Sequence, residues 1–214
     1  MTSHDERTPA AGVGMQQKNL MLGGLIAAPL GLGLWLALFH GWPPLAGMDS
    51  GWDRLGFAIK CCCVAVLLCF FLGIEAVSHE RLHTRAIDPL AGAESPRMQV
   101  NLRYLQHTLE QLLLFIPGLL ALAFYCTDGR AMRAVLATTV VWIVFRFVFW
   151  IGYHKGPQFR APGLIGMIQS ALVLLYVGGR FGYELAGAPG AAIVLGVFAG
   201  GEMFLVWINR RAAD

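Results

Sequence analysis

The sequence predicts an all-α integral membrane protein with six transmembrane helices. Three observations predict it. The 214 residues are 57% hydrophobic and only 14% charged, far too apolar for an ordinary soluble domain. The apolar residues fall into six runs of about 20, enough to cross ~30 Å of hydrocarbon. None of the runs shows the strict alternation that a membrane barrel strand needs.

Residues 1–19 are polar, small and mixed in charge, which reads as a disordered or surface tail. The first apolar run spans residues 20–42. It is longer than a signal-peptide core and lacks a small-x-small cleavage site, so it reads as an uncleaved membrane helix. Pro29 predicts a kink in it. A turn-rich loop with two prolines follows to Asp53. The second run covers 55–77, and residues 78–101 form a polar linker. The third run covers 104–126, with a bend expected at Pro117-Gly118, and Asp128-Gly129-Arg130 marks a tight turn. The fourth run covers 131–151. The basic loop 152–162 follows. The fifth run covers 163–183, and Pro189 opens the sixth, which reaches Ile208.

Basic residues give the orientation. With the N-terminus inside, the inner side collects Arg7, Lys18, Arg81, Arg85, Arg97, Arg103, Lys155, Arg160, Arg210 and Arg211. The outer side has Arg54, Arg130 and Arg133. That bias places both termini in the cytoplasm. Short loops and the lack of an organellar targeting signal point to a bacterial inner membrane. A net charge of +3 is too small to argue for nucleic acid. Cys61, Cys62, Cys63 and Cys69 share one apolar run, where neighbouring helix positions diverge, so they read as packing residues and not as a metal site or disulfide. Gly178-x-x-x-Gly182 and Gly196-x-x-x-Gly200 are spacings that let helix backbones approach.

Polar groups inside the apolar runs carry the functional argument, because a charge in the bilayer is costly. Arg103, His107 and Glu110 lie four and three residues apart, on one helix face. Arg146, Phe149, Trp150 and Tyr153 share a face of the next run. Glu110 and Arg146 each lie seven residues from their helix's inner end, ~10 Å deep. Equal depth on antiparallel neighbours predicts an ion pair between them. Gln111, Lys155 and Arg160 crowd the same inner end. An arginine-rich cluster with one buried carboxylate and a tyrosine suits a small anionic ligand that also bears an ammonium group.

A separate pattern, His79-Glu80-Arg81-Leu82-His83, fits the zinc motif H-E-x-x-H, with Glu75 one turn back as a third ligand. Five-residue patterns with two free positions recur by chance, and Arg81 and Arg85 would repel a cation. A zinc metallopeptidase therefore stands as an alternative; no metal ligand is otherwise assigned.

The two membrane motifs resemble those of the MAPEG family, the membrane-associated proteins of eicosanoid and glutathione metabolism. Arg103-x-x-x-His107-x-x-Glu110, with Phe115 following, is similar to the family's Arg-x-x-x-Asn-x-x-Glu. Arg146-x-x-Phe149-x-x-Gly152-Tyr153-x-Lys155, then Arg160, is similar to its Arg-x-x-Tyr-x-x-Gly-Tyr-x-Arg and the arginine beyond it. His107, Phe149 and Lys155 depart from the pattern. A rival register, Arg97-x-Gln99-x-Asn101, keeps the asparagine but sets Tyr104 in place of the glutamate. The resemblance implies a four-helix core over residues 54–186, with an added transmembrane helix in 20–53 and another in 187–214. It further implies a homotrimer resembling microsomal glutathione transferase and leukotriene C4 synthase. Glutathione would be the co-substrate, contacted by Arg103, His107, Glu110, Gln111, Arg146, Phe149, Tyr153 and Lys155. Arg160 matches the catalytic arginine that stabilises the thiolate. The expected activity is transfer to, or peroxide reduction of, a hydrophobic electrophile or lipid hydroperoxide. A non-enzymatic, lipid-binding member of the family is the other expectation.

Overall fold

The computed structural model describes residues 9–211, and all the regular structure in that span is helical. The elements are α1 (Pro9–Gly41), α2 (Gly51–Ala65), a π-helical turn (Val66–Phe71), α3 (Leu72–Leu82), α4 (Pro96–Tyr125), α5 (Arg133–Lys155) and α6 (Gly163–Arg211). Short 3-10 turns occupy Arg85–Ile87 and Pro157–Arg160. Among the described residues, five helical stretches are long and apolar enough to cross a membrane: Met21–Gly41, Gly51–Leu82, Pro96–Tyr125, Arg133–Lys155 and Gly163–Arg211. The chain divides into two compact units between Ser170 and Ala171.

Several boundaries differ from the hydropathy reading. Residues 9–19, expected in the polar tail, belong to α1, and α1 runs on through Pro29. Residues 1–8 and 212–214 of the expected tails lie outside the described residues. Helix α4 begins at Pro96, well before the apolar run. Ser95 caps it by accepting from the Met98 amide, and Pro96 at its first position has no N–H that needs a partner. The Arg103–Glu110 stretch therefore sits two turns inside a helix and not at its head. Helix α4 also continues through Pro117.

In the first unit, α2, α3 and α5 pack on α4, and α1 packs on α5. The core joins Ala58, Cys61, Cys62, Ala65 and Cys69 to Leu112, Phe115, Leu119 and Trp142. Three of the clustered cysteines thus serve as small packing residues, while Cys63 faces outward. Where α1 meets α5, Gly31 lies against Ile165 and Phe145, and the Trp35 indole donates to the Thr138 hydroxyl at 3.1 Å. At the predicted outer end, Arg54 Nη1 donates to the carbonyls of Met48, Asp49 and Thr127, and the Leu45 amide donates to Gly129. These bonds tie the loop before α2 to the turn before α5.

The second unit is the remainder of α6. Helix α6 is 49 residues long in all. Straight, it would measure ~74 Å, more than twice the hydrocarbon thickness. It is interrupted by non-helical torsions at Ala186 and Gly187, with φ of 64° at Gly187. Only glycine adopts that conformation without strain. Beyond the break the chain folds back: Gly178 faces Val194, Gly179 faces Leu195, and Gly182 meets the Gly190 backbone. The pairing is that of an antiparallel helical hairpin. Gly178-x-x-x-Gly182 makes the close approach its spacing predicts. Gly196 and Gly200 have nothing within 4 Å of the site a Cβ would take. Glu202 is exposed.

Candidate functional site

Helix α4 has two faces. Asn101, Tyr104, Thr108, Leu112, Phe115 and Leu119 are buried and turn toward α2, α3 and α5. Arg103, Gln106, His107 and Glu110 are exposed, about 150° away around the axis at 100° per residue. The exposed four form a hydrogen-bonded ladder. Arg103 Nη1 donates to Gln106 Oε1 at 3.0 Å, and Gln106 Nε2 donates to Glu110 Oε1 at 3.2 Å. His107 Nδ1 lies 3.3 Å from the other Glu110 oxygen.

The predicted Glu110–Arg146 ion pair is not formed. The two stand at one level, between the Tyr104–Phe149 and Phe115–Trp142 ring pairs, but deeper from the start of α4 than expected, because that helix begins at Pro96. Glu110 points out of the bundle and Arg146 points in. Arg146 is 1% exposed, and its Nε, Nη1 and Nη2 find no hydrogen-bond partner among the described residues. Its guanidinium lies over two rings, 4.4 Å from the centroid of Phe149 and 5.6 Å from that of Tyr104. Depth matching fixes a level along the helix and leaves rotation about its axis open. Here rotation separates the pair.

Tyr104 is the residue that the favoured register missed. Its ring stacks on Trp150 at 4.6 Å, and its hydroxyl donates to the Cys69 carbonyl at 2.8 Å. Cys69 lies in the π-helical turn, whose altered backbone bonding suits an outside donor. Asn101, the asparagine of the rival register, is also buried. Its Oδ1 accepts from Trp150 Nε1 at 2.9 Å and His154 Nε2 at 2.8 Å. The available signal was the 3–4 spacing of Asn101, Tyr104, Thr108, Leu112 and Phe115, which marks the core face.

Phe149 is the hub of the cluster. It is buried against Arg146, with His107 at 6.1 Å and Tyr153 at 5.5 Å between ring centroids. It lies flat against Gly163, where any Cβ would collide with the ring. Gln111 is half-buried; Nε2 donates to the Gly163 carbonyl at 3.4 Å, and Oε1 is buried without a partner among the described residues. Tyr153 is half-buried near the end of α5. Lys155 is exposed in the last turn of α5, where a cation is favoured by the helix dipole. Arg160 is exposed and closes the 3-10 turn that follows. Within one chain the structure therefore gathers Arg146, Phe149, Tyr153 and His107. Glu110 joins them through His107, and Arg103 through Gln106 and Glu110. Lys155 and Arg160 are exposed at the end of α5 and in the turn after it.

The H-E-x-x-H stretch is not arranged as a metal centre. His83 is the C-cap of α3 and is no longer on the helix, and its Nδ1 donates to the His79 carbonyl at 2.7 Å. His79 faces Glu75 at 3.3 Å, and Glu80 accepts from the Ser95 hydroxyl. Among the described residues no three His, Cys, Asp or Glu side chains converge on a metal position.

Deeper along α4, Ile116 and Leu120 form one wall of an open apolar groove. Ile59, Cys63, Leu67 and Phe71 of the α2–α3 stretch form the other, enclosing about 440 Å³. The groove borders the same outward-facing side of α4 that carries the polar ladder.

A family model described as the MAPEG family matches residues 58–180, more than half the chain. No curated protein and no solved structure matches it.

Proposed function

The chain belongs to the MAPEG family, and from that premise we propose that it is a glutathione-dependent membrane transferase or peroxidase. One observation supports this above the others: a ladder of Arg103, Gln106, His107 and Glu110 on the outward face of an apolar, membrane-length helix. Charged groups turned to lipid are costly, so such a face calls for a polar ligand and a protein surface to cover it. A homotrimer supplies the surface and glutathione the ligand. Both its carboxylates suit arginines, and its ammonium suits Glu110. Arg146 adds a second demand for an anion, since a buried cation without a partner costs several kcal/mol.

In this reading His107, Gln111, Phe149, Tyr153 and Lys155 line the glutathione site. Arg160 approaches the sulfur from the rim. A free thiol has a pKa near ~8.5 and is mostly protonated at neutral pH; a cation beside it favours the thiolate. The thiolate attacks a substrate held in the apolar groove along α4. At an electrophilic carbon the S–C bond forms as the leaving group departs or, in a conjugate addition, as the adduct takes up a proton. At a lipid hydroperoxide the S–O bond forms as the O–O bond breaks, and the lipid leaves as its alcohol after protonation. A second glutathione then converts the sulfenic product to the disulfide and water. A hydrophobic substrate reaches that groove from the bilayer. The two arms of α6 cross the membrane separately, giving six spans. Both termini face the cytoplasm of a bacterial inner membrane, in line with the basic residues near the inner helix ends.

Calorimetric titration of the purified protein with glutathione is the test. Saturable binding at millimolar concentration or below supports the assignment; no heat at that concentration refutes it. Thiolate formation, read as ultraviolet absorbance on glutathione addition, is expected to be lost in Arg160→Ala while binding persists.

A further inference from the structure

We propose that Gln106 is a positioning residue whose amide holds Arg103 and Glu110 ready for the carboxylate and ammonium of one α-amino acid group. The inference rests on the glutathione reading of this site and adds a residue that neither membrane motif contains.

Arg103 and Glu110 are seven residues apart, ~10.5 Å along the helix axis. At that separation they need an intermediary to act together. Gln106 lies three residues after the first and four before the second, the spacings at which helix side chains meet. Its two ends point the right way: Oε1 accepts from Arg103 Nη1 at 3.0 Å, and Nε2 donates to Glu110 Oε1 at 3.2 Å.

Only an amide serves both neighbours. It carries an acceptor and a donor on one uncharged head. Glutamate at the same length would accept from Arg103 but repel Glu110. Lysine would do the reverse. Asparagine is a methylene shorter. The bridge also leaves binding capacity free: it uses one of the five guanidinium N–H groups of Arg103 and one oxygen of Glu110. The other oxygen faces His107 Nδ1 at 3.3 Å. Without the amide, Arg103 regains the rotamer freedom of a long side chain and Glu110 keeps only its histidine contact.

The four residues are exposed in the single chain, where water would weaken such bonds. On a membrane-length helix covered by a neighbour the dielectric is low, and the same bonds become strong and specific. The ammonium and carboxylate of an α-amino acid sit side by side on one carbon. A receptor must present its own anion and cation close together without letting them neutralise each other. The amide spacer achieves that.

The test compares full-length wild type with Gln106→Met, which keeps the length and removes both hydrogen bonds. Affinity is read by calorimetry for glutathione and for its analogue lacking the α-amino group. Wild type is expected to prefer glutathione. Gln106→Met should bind glutathione about tenfold more weakly, and its preference over the analogue should shrink by a similar factor, with the melting temperature unchanged. Gln106→Glu should also bind glutathione more weakly, since it keeps one bond and adds a repulsion. A Met or Glu variant that binds and discriminates like wild type overturns the proposal while leaving the glutathione site standing. Wild type that binds no glutathione refutes the underlying reading instead.

Discussion

The Arg146 guanidinium lies 4.4 Å from the centroid of the Phe149 ring and makes no hydrogen bond to any described residue. Ring faces attract a desolvated cation by ~2 kcal/mol. Burying the charge costs more than that. Arg146→Met should therefore stabilise the fold by ~1 kcal/mol or more, seen as a higher melting temperature in detergent. The same variant should bind glutathione less well. A clearly lower melting temperature would show that Arg146 has a strong partner in the folded protein.

Tyr104 joins the buried cation to the π-helical turn. Removing its hydroxyl leaves the ring stack on Trp150 intact but deletes the bond to the Cys69 carbonyl. Tyr104→Phe should cost about 1–2 kcal/mol, and Tyr104→Ala ~3–5 kcal/mol because it also opens a cavity. Equal losses for the two variants would contradict this division between hydroxyl and ring.

Gly163 gives Phe149 its place. A methyl group there meets the ring, so Gly163→Ala must displace either Phe149 or the start of α6. Overpacking of this kind costs ~1–3 kcal/mol. The companion variant Gly163→Ala with Phe149→Leu should recover part of the loss. No recovery in thermal unfolding would place the strain elsewhere.

Among the described residues, the His79 and His83 side chains make only contacts local to the end of α3, to Glu75 and to the His79 carbonyl. Each is exposed. Replacing either by alanine should change stability by no more than ~0.5 kcal/mol, and a chelator should leave the melting temperature where it was. A fall on chelation that His79→Ala abolishes would restore the metallopeptidase alternative.

Legibility in the sequence followed the strength of the physical constraint. The membrane helices were visible because hydrocarbon demands about 20 apolar residues per crossing. Cys61, Cys62 and Cys69 read correctly as core because neighbouring helix positions diverge and leave the run Cys61–Cys63 unable to converge on one point; Cys63, on the outward side, did not follow. The start of α4 did not show in hydropathy. It was set by Ser95 and Pro96, local signals inside a stretch too polar to stand out. The Arg103, His107 and Glu110 face was legible from spacing alone, and so was the family resemblance that the match over residues 58–180 established.

The sequence by itself determined the membrane class, the apolar helices, the residues sharing each helix face and the family. Tertiary structure alone decided which faces meet. Spacing along a helix fixes relative angles at 100° per residue, but rotation of the whole helix against its neighbours comes from packing. In this chain Tyr104, Leu112 and Phe115 turn α4 inward on one side. That rotation carries Glu110 outward and away from Arg146, and it leaves Gln106 as the side chain that links Glu110 to Arg103.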